Sequence, residues 1–344
     1  MLIAWPNPAS LKIPKFIRIF GEEELTKMDI FYIIFGLALV LFGAHILTEG
    51  SAAVAEKFGV SEFVIGLTIV AVGTSMPEFV VSSAAAVQGS SDMAIGNVVG
   101  SNIFNVFLIL GLCAVVSPLS FTRNNIRFDI PLVFIASMMM FVAASDALFG
   151  WGEVNNIGRI EGAVMFLCYI AMIIWSVLSS KKDKQEVAAK PRMKMWLAVL
   201  AILGGLAALV VGSRLFVDGA SAVARALGVS DALIAITLVA CGTSLPELAS
   251  GLVSVAKGQT GMALGNVLGS NLFNILFILG GCSMITPLTL GDIDIIDIAM
   301  VVSAAVVPFL FAFTLKGRKL DRIEGVAMVV VYVGYVAWLI SKAI

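Results

Sequence analysis

Apolar residues along this chain fall into runs of about twenty, the length a helix needs to cross hydrocarbon. Ten runs stand out, roughly at 29–50, 62–87, 92–117, 129–150, 158–179, 194–222, 231–256, 261–286, 293–315 and 321–341. Each is predicted to be a transmembrane helix, so the expected fold class is an all-α integral membrane protein. Of the connections only Ser179 to Lys194 is long and polar, with Lys181, Lys182, Lys184, Lys190, Arg192 and Lys194. The expected organisation is an N-terminal arm (1–28), a first five-helix repeat (29–179), a cytoplasmic linker (180–193) and a second five-helix repeat (194–344).

Composition agrees with the pattern. Sixty per cent of the 344 residues are hydrophobic, 13% are charged, and the mean hydropathy is +1.03. A water-facing globule is nearer half apolar and a quarter charged. The formal net charge of −1 leaves no basic surplus for phosphates, which excludes nucleic acid as a partner. Cys113, Cys168, Cys241 and Cys282 lie in apolar runs without paired spacing and read as small hydrophobes. Lys12, Lys15 and Arg18 interrupt the first residues, which are not expected to form a secretory signal. Leu11–Phe20 reads as an interfacial amphipathic segment.

The two halves are copies. A displacement of 169 positions carries Thr68-Ile69-Val70-Ala71-Val72-Gly73-Thr74-Ser75-Met76-Pro77-Glu78 onto Thr237-Leu238-Val239-Ala240-Cys241-Gly242-Thr243-Ser244-Leu245-Pro246-Glu247. It also carries Gly96-Asn97-Val98-Val99-Gly100-Ser101-Asn102-Ile103-Phe104-Asn105 onto Gly265-Asn266-Val267-Leu268-Gly269-Ser270-Asn271-Leu272-Phe273-Asn274. Arg159-Ile160-Glu161-Gly162 matches Arg322-Ile323-Glu324-Gly325 at a slightly smaller displacement. Five spans per repeat is odd, so the second copy is upside down: two inverted-topology repeats, with a substrate site expected near the midplane where they meet. Lys and Arg are commoner in the loops on the side of the central linker, which places that linker in the cytoplasm of a multi-pass cell-membrane protein and both termini outside.

Most acidic residues lie in loops or at helix ends, but Glu78 and Glu247 sit mid-span with no Lys, Arg or His deep in either segment. A carboxylate at membrane depth is costly and marks an ion or proton path. Each follows a proline, Pro77 or Pro246, which denies an amide donor to the carbonyl of Gly73 or Gly242 and turns the Thr74 and Thr243 carbonyls from ideal helix geometry. Freed carbonyls beside a carboxylate suit a hard cation. On the following helix Asn97, Ser101 and Asn105 make a polar stripe at i, i+4, i+8, repeated by Asn266, Ser270 and Asn274. Alone such stripes also serve as interhelical hydrogen-bond glue. Beside the Pro-Glu pairs they become oxygen donors. Calcium takes 6–8 oxygens in flexible geometry, and two carboxylates balance its charge; sodium shares the same donors, and magnesium suits the cage less. His45, the single histidine, reads as interfacial, and Arg214 with Asp218 as a helix-end pair.

Gly-Thr-Ser-x-Pro-Glu twice, each followed by Gly-Asn-x-x-Gly-Ser-Asn, resembles the alpha-repeats of the sodium/calcium exchanger family within the cation/calcium exchanger superfamily. The resemblance covers nearly the whole chain beyond the arm. It implies ten helices and ion positions between helices two, three, seven and eight. It implies that Glu78 and Glu247 hold calcium together with the Thr74 and Thr243 carbonyls. Sodium contacts are implied from the Ala71 and Ala240 carbonyls and from Ser75, Ser244, Ser101 and Ser270, with Asn105 among the central polar residues. The first and sixth helices are implied to slide as a gate. Some relatives, including potassium-dependent ones, have an aspartate where this chain has Asn274, which makes potassium co-transport less expected. Gly100 and Gly269 stand where the proton/calcium branch has a glutamate.

The leading expectation is a sodium/calcium antiporter working by alternating access. A proton/calcium or other cation/calcium antiporter is the alternative, because protonation of two buried glutamates could drive the return step. A channel would need a continuous pore, and a sensor needs no duplicated gate. Ser75 and Ser244 have no base to activate them, so no enzyme is expected. No cofactor is called for: the expected partners are transported Ca2+ and Na+ ions and the lipid bilayer. The sequence is silent on oligomeric state.

Overall fold

The computed structural model describes residues 22–149, 155–180, 193–227, 240–291, 293, 295–311 and 317–343. The arm's first 21 residues, residues 181–192 of the linker and the first third of the seventh expected span lie outside these. The spans are α1 (Glu22–Phe58), α2 and α3 (Glu62–Thr74 and Met76–Val87, bent by 48°), α4 (Ser91–Val116), α5 (Asn125–Ala143) and α6 (Arg159–Ser180). In the second repeat they are α7 (Met195–Ala226), α8 (Ala240–Gly242), α9 (Leu245–Ala256), α10 (Thr260–Ile285), α11 (Ile295–Phe311) and α12 (Arg322–Ala343). Among the described residues seven helices are long and apolar enough to cross a bilayer. The bent α2–α3 pair makes an eighth. The shorter apolar helices α9 and α11 occupy the seventh and ninth expected positions. All ten expected spans are thus represented, and the all-α membrane fold stands.

The polarity of the molecule is inverted relative to a soluble protein. Phe42, Ile34, Leu167 and Val330 are exposed, whereas Glu78, Glu247, Asn105, Asn266, Asn271 and Asn274 are buried. The outer residues have hydrocarbon as their solvent, and the polar ones find partners only inside the bundle. Helices α4 and α10 form the centre. The apolar window of α10 is 94% buried within the protein, against 17% for α12. Both central helices relax into π-helical turns at matching places, Phe104–Leu110 and Phe273–Leu279. Such turns are rare and cluster at functional sites.

Close backbone contact sets the helix pairs. A Cβ on Gly265 or Gly269 would collide with the main-chain carbonyl of Phe63 or Leu67 in α2. Only glycine lets α2 lie this tightly on α10. The Arg-Ile-Glu-Gly repeats have the same logic: a Cβ on Gly162 would sit 2.7 Å from Gly280 O, and one on Gly325 2.6 Å from Gly111 O. Helices α1 and α7 run antiparallel along a glycine seam, with Gly36 opposite Gly212, Gly43 opposite Gly205 and Gly50 opposite Ala198. These recur every seven residues, the spacing that keeps one stripe facing a partner helix.

Two small ladders tie the repeats together. Leu119–Ser120 (β1) pairs antiparallel with Lys319–Leu320 (β4), and Asn156–Ile157 (β2) with Leu288–Thr289 (β3). Each joins a loop of one repeat to a loop of the other.

Helices α1 and α7 break the symmetry between the repeats. Near one end of α1, Lys257 Nζ lies 2.8 Å from Glu49 Oε1 and donates to His45 O at 3.0 Å, while Thr48 Oγ1 lies 3.4 Å from Ser254 Oγ. The repeat mates of these residues are Arg214, Val217 and Asp218 on α7 and Ala85 and Gln88 at the end of α3. Among the described residues α7 has no comparable packing with α3. Asp218 lies instead 3.9 Å from Arg214 of its own helix, both side chains largely exposed. Such a pair contributes little, about 0–1 kcal/mol.

Candidate cation site

The site is built where two broken spans meet two continuous ones. The helix stops at Ser75 (φ −83°, ψ 10°) and restarts as α3; the same geometry recurs at Ser244 (φ −92°, ψ 7°) before α9. Pro77 and Pro246 fall in the first turns of the new helices, where a missing N–H costs nothing. Glu78 and Glu247 follow in those same first turns, where the positive end of the helix dipole favours a carboxylate. The irregular backbone expected at each Pro-Glu pair is therefore a full break with a fresh helix start. The Ala71 carbonyl, implied as a sodium ligand, still accepts from Ser75 N at 3.0 Å.

The serines cross between repeats. Ser75 Oγ donates to Glu247 Oε1 at 2.7 Å, and Ser244 Oγ donates to Glu78 Oε1 at 2.9 Å while lying 3.3 Å from Ser101 Oγ. Thr243 and Thr74 side chains lie against Glu78 and Glu247 in the same crossed sense. Glu78 is 1% exposed and Glu247 is fully buried. The second oxygen of each, Oε2, is buried without a hydrogen-bond partner, and no basic side chain faces either among the described residues. Two bare carboxylate oxygens in one dry place are costly unless a cation or protons join them.

The polar stripes divide into two kinds. Asn97 and Asn266, expected as oxygen donors, use their nitrogens on the protein. Asn97 Nδ2 donates to Glu78 O at 3.2 Å and to Ser82 Oγ at 2.9 Å. Asn266 Nδ2 donates to Glu247 O at 3.5 Å, and its Oδ1 accepts from Thr74 Oγ1 at 3.2 Å. They pin the main chain at the two breaks. By contrast Ser270 Oγ, Asn105 Oδ1 and both polar atoms of the Asn274 side chain are buried and unpartnered. Thr74 and Ser75 are fully buried, while Thr243 is only half-buried. Ala240 begins α8. Asn102 and Asn271 fall one residue past the i, i+4 stripe, which therefore does not pick them out. Their place in both Gly-Ser-Asn triplets was the available signal.

Among the described residues no group of three His, Cys, Asp or Glu side chains could hold a metal. The donors gathered here are instead two carboxylates, hydroxyls and amide oxygens. That set fits a hard cation and excludes a soft one.

Comparison with known proteins bears on the fold as a whole. The family model described as sodium/calcium exchanger protein matches residues 28–178 and 197–341. The putative antiporter CaxA of Alkalimonas amylolytica is 34% identical over 90% of this chain and 98% of its own length. The sodium/calcium exchanger MaX1 of Methanosarcina acetivorans is 31% identical over 89% and 97%. A solved structure of the sodium-calcium exchanger NCX_Mj, soaked with sodium and calcium, superposes with a TM-score of 0.78 at 33% identity, covering 90% of this chain and 97% of that one. With a family match over both repeats and relatives aligned along nearly their full length, the chain belongs to the sodium/calcium exchanger family.

Proposed function

We propose that this chain exchanges sodium for calcium across the cell membrane by alternating access, binding both ions between its repeats. The observation that carries the reading is the pair of buried glutamates, each held by the other repeat's serine and each with one bare oxygen. Two negative charges without a base balance one divalent cation. Calcium takes Glu78 and Glu247 with the Thr74 and Thr243 carbonyls. Sodium takes the Ala71 and Ala240 carbonyls, Ser75, Ser244, Ser101 and Ser270 around them, with Asn105 and Asn274 completing the polar centre.

Because the serines that would bind sodium are the ones holding the calcium carboxylates, filling one set of positions disturbs the other. Competition of this kind is what an exchanger needs. The gate is the α1–α7 pair, whose glycine seam lets it move as one body over the bundle. Its latch through Lys257, Glu49, Thr48 and Ser254 closes the site on the side of the central linker. We assign that side to the cytoplasm and the termini to the outside from the Lys and Arg bias.

The test is uptake of radioactive calcium into proteoliposomes. Vesicles loaded with sodium are compared with vesicles loaded with choline under an imposed pH gradient. Uptake that requires internal sodium supports sodium/calcium exchange. Uptake driven by the pH gradient alone replaces sodium by protons as the coupling ion.

A further inference from the structure

Where α4 crosses α10, hydrogen bonds fix which way the amides of Asn271 and Asn105 point. Asn271, on α10, donates from Nδ2 to the main-chain carbonyl of Asn102 at 3.4 Å. That carbonyl can only accept, so the nitrogen of Asn271 is fixed toward it and the oxygen is fixed the other way. Asn271 Oδ1 in turn receives Asn105 Nδ2 at 3.1 Å. An amide oxygen also only accepts, so Asn105 has to offer its nitrogen there. Its own oxygen, Oδ1, is left buried with no partner, on the helix that carries Ser101 one turn earlier.

The matching half lacks this device. Asn102 turns its nitrogen to Val98 O of its own helix at 2.7 Å, and Asn102 Oδ1 and both polar atoms of Asn274 are unpartnered. The amide of Asn274 can therefore present either end, whereas that of Asn105 is committed.

We propose that Asn271 is a positioning residue for cation binding: its crossed hydrogen bonds to Asn102 and Asn105 set the polarity of the Asn105 amide so that oxygen, not NH2, faces the transported ion. The inference rests on the cation-site reading above and adds a residue to it. Without Asn271 the Asn105 amide is free to turn over, and a turned amide aims its N–H dipole at the cation. Its partner-bound nitrogen would also be left buried and unsatisfied, which favours the turn.

A double-mutant cycle tests it with purified full-length protein, reading half-saturating calcium for sodium-driven uptake, maximal rate, and melting temperature with and without calcium. Asn105→Ala is expected to raise half-saturating calcium about tenfold, the loss of one oxygen from a charged ligand. Asn271→Leu is expected to do the same with a smaller change in maximal rate, and to shrink the calcium-induced melting shift more than the calcium-free melting temperature. In the Asn105→Ala background Asn271→Leu should add nothing, because it acts through Asn105. If Asn271→Leu does not fold, Asn271→Ser takes its place in the cycle.

Effects that multiply to about a hundredfold in the double variant would show that Asn271 acts independently, and overturn the proposal. So would an unchanged Asn271→Leu beside an impaired Asn105→Ala, which leaves Asn105 in the site and removes only the positioning role. An unimpaired Asn105→Ala overturns it as well, by taking Asn105 out of the ion's coordination. The wider site reading is judged separately, on the glutamates.

Discussion

Replacing Glu247 by glutamine removes one negative charge from the middle of the site and little else. Glutamine is nearly isosteric, and its amide oxygen can still accept the Ser75 hydroxyl now 2.7 Å from Glu247 Oε1. The main-chain carbonyl that receives Asn266 is untouched. The fold is expected to hold. What goes is half the charge balancing a divalent ion in a fully buried place. A pair of unit charges about 4 Å apart interacts by about 4 kcal/mol at an effective dielectric of about 20. A doubly charged ion doubles that, and part is returned because the amide costs less than a carboxylate to bury. A net loss of about 4 kcal/mol weakens calcium binding about a thousandfold. Radioactive calcium uptake by proteoliposomes should fall to background. Calcium-dependent stabilisation in detergent offers an independent reading: at about a hundred times Kd it is worth about 2.7 kcal/mol in the unaltered protein, and the variant should lose it. A folded variant whose half-saturating calcium stays within about threefold of the original refutes the charge-balance reasoning. Glu78→Gln is expected to behave alike, since the two acids have mirrored surroundings.

Other perturbations probe separate parts of the structure. Asn274→Asp puts a charge on a buried side chain whose polar atoms have no partner, and should alter the sodium and potassium dependence of uptake; unchanged dependence removes Asn274 from the site. Gly265→Ala drives a Cβ into the Phe63 carbonyl and should cost about 1–3 kcal/mol, seen as a lower melting temperature, while Gly334→Ala, whose Cβ meets nothing within 4 Å, should not destabilise. Lys257→Met breaks the contact with Glu49 and His45. In a background cleared of native cysteines, Ser254→Cys should then label faster with an impermeant thiol reagent applied from the side of Lys257. Equal labelling rates with and without Lys257 dismiss the latch.

The sequence exposed the glutamates because an unpaired acid in an apolar run has no bland reason to be there, and because the duplication repeated it. It also exposed the spans, since hydrocarbon thickness imposes a length that residue counting recovers. Other features were out of reach. Aligning Ser75 with Ser244 says nothing about which carboxylate each serine meets, and the crossing between repeats emerges only when α3 and α9 face one another. Asn97 and Asn266 looked like oxygen donors because an amide has both a donor and an acceptor end. Which end is used depends on neighbours 19 residues away, the carbonyls of Glu78 and Glu247. The prolines were expected to turn the Thr74 and Thr243 carbonyls out of helix geometry; that each helix stops there and starts afresh is set by the preceding serine, whose angles are not helical. Helix α1 overruns its apolar stretch at both ends because hydrogen bonding continues into polar residues that a hydropathy count discards. Strands of two residues leave no alternation to detect.

Those two-residue ladders have a bearing on how far either half could stand alone. β1 finds its partner in β4 and β2 in β3, so neither half of the chain closes its own edges. Gly162 meets Gly280 and Gly325 meets Gly111 across the same divide. A polypeptide holding a single five-helix unit could satisfy all of these contacts in one way, by docking with an upside-down copy of itself. Joined by the linker, the two halves of this chain make within one polypeptide the contacts that such a pair would make between two. Joining also leaves each half free to differ in sequence, as Lys257 against Gln88 and Glu49 against Asp218 do.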